Sequence, residues 1–209
     1  MSNFEPSNIK IRSHPWHGLS LGDDAPKIVN CFIEIVPSDT VKYELDKETG
    51  ILMIDRPQQY SSMCPTLYGL LPRTYAGPLV ADYCSQKTGM KNIVGDGDPM
   101  DICVLTEYHL PRGDIFLKAR PIGGLRLLDG NEADDKIIAV LIGDILYENV
   151  EDINDCPEHI LERLRHYFLT YKDSPETKEK KVQITHTYGV EEAYEIINLS
   201  RQDYENKFK

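Results

Sequence analysis

A mainly β chain of the α+β class, with an antiparallel, barrel-like core and helices at its C-terminal end, is the fold class this sequence predicts. Two observations predict it. Apolar and β-branched runs succeed one another between residues 31 and 142, with no intervening helices long enough for βαβ crossovers. Clear 3.6-residue apolar patterns occur only after residue 156.

The elements follow in order. "CFIEIV" (31–36) reads as a strand, and "VKYELDKETGILMIDRP" (41–57) as a hairpin turning at "DKETG". Further strands are expected at 101–107, at 115–128 with a break at Gly123 and Gly124, and at 136–142. In "PEHILERLRHYFLTYK", residues Ile160, Leu161, Leu164, Tyr167, Phe168 and Tyr171 share one helical stripe, and Pro157 suits the first helical position. "VEEAYEIINLSRQDYENKF" gives a second amphipathic helix with Ala193, Ile196, Ile197 and Tyr204 facing inward. Residues 72–94 carry the weakest pattern and read as a long loop or inserted arm. No repeat divides the chain, so 1–209 is expected to form one domain.

Composition excludes several function classes. The chain has 209 residues, is 41% hydrophobic and 27% charged, and carries a net charge of −11, which argues against nucleic acid or an anionic membrane surface as partner. Its longest apolar run, "IIAVLIG", falls far short of the roughly 18–20 residues needed to span a bilayer. The N-terminal stretch "MSNFEPSNIKIRSHPWHG" has no apolar leader pattern, and the five cysteines show no paired spacing, so the cytoplasm is the expected compartment.

"GDGDPMDICVL" (95–105) is the most informative stretch. It places Asp96, Asp98 and Asp101 within six residues and then enters an apolar strand. Pro99 keeps the preceding Asp98 out of helical backbone, and Gly95 and Gly97 permit a sharp turn. Carboxylates this close repel one another and raise each other's pKa unless a cation or shared proton stands between them. A turn at the end of a β core suits a hard divalent cation such as Mg²⁺; a solvated acidic turn is the alternative reading. An EF-hand is excluded because Met100 and Asp101 occupy the positions where that loop needs an oxygen ligand and glycine. The poor strand character of "TGMKNIVG" argues against a covalent aspartyl nucleophile.

A second acidic cluster, "LLDGNEADDKIIAV", sets Asp129, Asp134 and Lys136 just before a strand. Two such clusters together suggest several metal ions at one site. Near the first hairpin, Glu34 interrupts an apolar strand while Lys42 and Glu44 share one side-chain direction. A solvated strand edge accounts equally well for that alternation.

Taken together, "IEIVPSDTVKYELDKETG", "DRP", "YGLLPRTY", "DGDPMDICVL", "DGNEADDK" and "HYFLTYKD" resemble the family I soluble inorganic pyrophosphatases. The resemblance implies a five-stranded OB-like barrel with two flanking C-terminal helices. It also implies homo-oligomeric assembly and Mg²⁺-dependent hydrolysis of pyrophosphate to two orthophosphates by in-line attack of a metal-bound hydroxide. By motif, Asp96, Asp101, Asp129, Asp134 and Glu34 correspond to metal ligands, and Asp98 to the general base. Glu44 corresponds to a supporting group that orders water, while Lys42, Arg56, Tyr68, Lys136, Tyr171 and Lys172 correspond to the phosphate grip. The chain departs from the family in "CPTLYG", where Cys64 and Leu67 stand in a run that many members write with an aromatic and an asparagine. Two other classes remain open: a phosphohydrolase of nucleotides or phosphomonoesters, and a non-catalytic acidic module.

Overall fold

Strand-forming side chains dominate the middle of the chain, and the computed structural model, which describes residues 12–173, 176 and 181–209, turns them into a closed ring. The first eleven residues of the stretch read for a leader lie outside the described residues. The strands are β1 (Val29–Ile35), β2 (Val41–Leu45), β3 (Leu52–Pro57), β4 (Leu67–Leu70), β5 (Val94–Gly95), β6 (Asp101–Leu105), β7 (Ile115–Asp129), β8 (Glu132–Ala133), β9 (Lys136–Leu141) and β10 (Val182–Gly189). The helices are α1 (Pro78–Thr88), α2 (Glu158–Thr170) and α3 (Val190–Phe208).

Strands β1, β4, β6, β9 and β7 pair in that order, and β7 returns to β1, closing a five-stranded OB-like barrel. Its interior is filled by Val29, Ile33, Ile102, Val104, Ala119, Ile137 and Ala139, all essentially without solvent exposure. Alternating residues of the same strands, such as Cys103, Ile138 and Leu125, pack outward under α2. Gly69 on β4 is required by closure, since a Cβ there would stand 1.9 Å from the Phe32 carbonyl oxygen.

Four features differ from the sequence expectation. The ring is not wholly antiparallel: β6 and β9 run parallel, with Asp101 opposite Lys136. A parallel pair needs a long crossover, and strand β7 supplies it instead of a helix. That strand is not broken at Gly123 and Gly124. It runs through both, with a register shift between Pro121 and Gly123, so that one strand pairs β1, β9 and β10 in turn.

The third difference is residues 72–94, which are not a loop throughout, because α1 occupies their centre and makes a third helix beside the two C-terminal ones. Pro78 opens it and Gly89, in left-handed conformation, closes it. The narrow apolar strip of Val80, Ala81 and Cys84 hid its period. The fourth is a set of four unforeseen strands, the two-residue β5 and β8 together with β4 and β10. β4 is only four residues long, whereas β10 does alternate but follows a polar run. At α2 the boundary shifts by one: Pro157 is the residue before the first helical turn.

Helix α1 is tied to α3 by Asp203, a buried carboxylate that accepts from the backbone N–H groups of Gly77, Leu79 and Val80 at 3.0–3.1 Å. Those amides are the orphan donors of a helix start, where negative charge is favoured. Asp203→Ala should therefore lower unfolding free energy by about 2 kcal/mol. Urea denaturation checks this, and a loss under about 0.5 kcal/mol would refute the capping role.

Candidate active site

The acidic turn "GDGDPMD" has no room for helix and folds back on itself. Gly97 sits at φ 80°, and the Asp96 carboxylate accepts from the Asp98 backbone N–H at 2.9 Å. Asp101 opens β6, and the parallel register sets it directly beside Lys136 at the start of β9. The Lys136 ammonium is buried, 2% exposed, and donates to both Asp101 and Asp134. Burial pulls its pKa down, but the two carboxylates outweigh that and hold it well above the ordinary lysine value.

Around this centre lies a cleft of about 220 Å³ at one mouth of the barrel. It brings together Glu34, Lys42, Glu44, Tyr68, Asp96, Asp98, Asp101, Asp129, Asp134, Lys136, Tyr171 and Lys172. These come from the β2–β3 hairpin, all five strands of the ring, the acidic turn, the turn between β8 and β9, and the end of α2. Arg56 is the one sequence-predicted residue that does not line the cleft. Its guanidinium bonds Asp55 at 2.5 Å and lies 5.8 Å from the centre of the Tyr171 ring, at the cleft's rim.

Electrostatics in the cleft divide by depth. At its floor Glu34 is buried and accepts from the Leu45 N–H at 2.8 Å; burial, then Asp101, push its carboxyl up to about 8. Asp96 is likewise pushed up to about 8, first by burial and then by Asp134. Asp134 is raised by burial, with Lys136 working against the shift. Burial, reinforced by Asp101 and Asp134, keeps the Tyr68 hydroxyl protonated.

Nearer solvent the lysines are bound to acids. Lys42 donates to Glu44 at 2.7 Å and Asp55 at 2.8 Å, Lys172 donates to Asp129 at 2.5 Å, and Lys47 donates to Asp98. Burial lowers the pKa of each of the three, but its carboxylate partners outweigh that and leave it raised.

Carboxylates gathered this closely, with Glu34, Asp96 and Asp134 raised first by burial and then by their acidic neighbours, form a donor set that fits hard divalent cations. Among the described residues no three acidic, imidazole or thiol groups already converge on one point to hold such an ion. Lys136, donating to both Asp101 and Asp134, takes that place between them.

Sequence reasoning missed Lys47, Asp55 and Trp16. Lys47 lies in the hairpin turn, where strand parity gives no direction, and Asp55 adjoins Arg56 within the "DRP" motif. Trp16 lines the cleft, and no local pattern signals this. Cys64 and Leu67, where the chain departs from the family run, are both buried, and Leu67 packs in the barrel core. All five cysteines are buried.

The inorganic pyrophosphatase family model matches residues 31–205. An inorganic pyrophosphatase of Chlamydia trachomatis is 55% identical over 200 residues, covering 94% of this chain and 96% of that one. A soluble inorganic pyrophosphatase of rice, Oryza sativa subsp. indica, is 37% identical over 198 residues, covering 95% of this chain and 82% of the relative. In structure, the Thermus thermophilus inorganic pyrophosphatase superimposes with a TM-score of 0.77 at 30% identity, over 92% of this chain and 99% of that one. With its barrel, its cleft and these similarities in agreement, the chain belongs to the inorganic pyrophosphatase family of hydrolases.

Proposed function

We propose that this protein hydrolyses inorganic pyrophosphate to two orthophosphates in a Mg²⁺-dependent reaction, acting as a single catalytic domain in the cytoplasm. One observation carries the reading: a carboxylate cluster and a set of lysines meet in one small cleft, as a compact polyanion accompanied by divalent cations requires. Asp96, Asp101, Asp129, Asp134 and Glu34 are the residues that would hold the metal ions. Bound Mg²⁺ supplies charge neutralisation and Lewis-acid activation of the attacking water. Asp98 removes a proton from that water, and Glu44 orders the water around it. Lys42, Arg56, Lys136 and Lys172 offset charge on the transferring and departing phosphates, with Tyr68 and Tyr171 donating hydroxyl hydrogen bonds. Buried free cysteines support a reducing compartment. Exposed Ile145 and Leu146, 73% and 63% accessible, support a homo-oligomer.

Phosphate release from pyrophosphate should exceed release from ATP and stop when EDTA removes the metal. Release that persists after chelation, or a preference for ATP, would overturn the reading.

Asp101 and Asp98 should separate in role. Asp101→Asn is expected to weaken Mg²⁺ binding, with activity partly recovered at higher Mg²⁺. Asp98→Asn should keep Mg²⁺ affinity and KM while lowering kcat by roughly 10² to 10⁴-fold. Paired Mg²⁺ titrations and steady-state kinetics check this, and equal loss of metal affinity in both variants would make Asp98 a ligand.

Glu34 provides a pH test. Its folded-state pKa is raised from 4.5 to about 8, so the metal-free fold favours the protonated form. Its stabilising contribution is complete below about pH 4.5 and is lost as pH rises through about 8. Glu34→Gln keeps an acceptor for Leu45 but cannot ionise. In EDTA its Tm should therefore match wild type near pH 4.5 and exceed it near pH 8. Added Mg²⁺ should raise the wild-type Tm more than the variant's. Thermal melts across pH decide this, and a Tm difference independent of pH would refute it.

A further inference from the structure

Segment 71–77, between β4 and α1, runs beside the acidic turn and is bonded to it on both sides of Pro99. Before the proline, the Ala76 N–H donates to the Asp98 carbonyl at 2.8 Å and the Gly97 N–H to the Ala76 carbonyl at 3.1 Å. Beyond it the Leu71 N–H donates to the Met100 carbonyl at 2.9 Å. Pro99 has no N–H, so Met100 carries the first backbone donor after Asp98. That donor goes to a side chain, the Thr74 hydroxyl, at 2.9 Å.

Thr74 is wholly buried, and its hydroxyl in turn donates to the Leu71 carbonyl at 2.7 Å. Its own carbonyl accepts from the Trp16 indole N–H at 2.7 Å. The Arg73 N–H donates back to the Trp16 carbonyl at 2.9 Å, at a residue whose φ is 53°. Left-handed backbone at a non-glycine residue persists only where its surroundings enforce it. Trp16 is held from behind by the His17 ring at 4.3 Å and the Phe208 ring at 5.4 Å, and its forward side lines the cleft.

We propose that Thr74, clamped by Trp16, is a positioning residue that aims Asp98 and Asp101 into the cleft by holding the Met100 amide between them. The inference rests on the pyrophosphatase reading. Carboxylates that share a reacting centre must keep their mutual directions, and small displacements cost rate more than binding. The backbone bonds at Gly97, at Asp98 and at the Met100 carbonyl leave the Met100 N–H, the first donor past the proline, to the Thr74 hydroxyl alone.

The test compares Thr74→Val, Thr74→Ser and Trp16→Phe by kcat and KM for pyrophosphate at saturating Mg²⁺, well below each variant's Tm. Thr74→Val keeps the shape but removes the hydroxyl, so kcat should fall about tenfold or more with KM within about threefold. Thr74→Ser restores the hydroxyl and should stay within about twofold of wild type. Trp16→Phe keeps a ring against Phe208 but loses the indole N–H, and its kcat should fall about threefold or more. Wild-type kcat in folded Thr74→Val, or equal impairment in Thr74→Ser, overturns the proposal. Should Thr74→Val not fold, Trp16→Phe decides, and wild-type kcat there overturns it. A wild-type protein that releases no phosphate from pyrophosphate overturns the functional reading and this inference together.

Discussion

The buried ion trio of Lys136 with Asp101 and Asp134 is the constraint on which the rest of the site depends. An ammonium with 2% exposure has lost its water, and only tightly placed carboxylates make such burial tolerable. The trio exists because β6 and β9 run parallel in a register that sets Asp101 opposite Lys136. An antiparallel pairing would send the starts of these strands to opposite ends of the barrel. Strand β7, long enough to cross the ring and return, makes the parallel pairing possible.

From that floor the remaining groups are added by elements outside the ring. The two-stranded hairpin of β2 and β3 leans Lys42, Glu44 and Lys47 over the cleft. The end of α2 adds Tyr171 and Lys172, and the latter reaches across to Asp129 on β7. Lys47, Lys136 and Lys172 each meet an acid from a distant part of the chain, while Lys42 and Arg56 are paired within the hairpin. Burial sorts the acids further, since Glu34 and Asp96 at the floor hold their protons far more tightly than an exposed carboxylate does.

Much of this was legible because it depends on short-range order. The spacing "DGDPMD", with glycine and proline at fixed places, announces a turn that gathers carboxylates whatever surrounds it. The hairpin was readable from its alternation and from Gly50, which turns at φ 71°. The α2 stripe was readable because Leu161, Leu164, Tyr167 and Phe168 recur at the helical period and are all buried. Helix α1 could have been found from Pro78 and Gly89, which bracket it. Strand β10 could have been found from the alternation that begins at Val182.

By itself, then, the sequence determined the strand-rich core, the C-terminal helices, the acidic turn and most of the residues that line the cleft. These rest on periodicity, turn chemistry and charge spacing, which act over a few residues, while Tyr68, Tyr171 and Lys172 were named only through the family resemblance. Tertiary structure alone decided the parallel seam between β6 and β9, the placing of Arg56 at the rim, the Lys47 contact with Asp98, and the Trp16–Thr74 clamp on the acidic turn. Each of these joins groups far apart in the chain. Such a contact is set by how a closed barrel distributes its register and buries its polar atoms, a condition no local stretch of sequence can express.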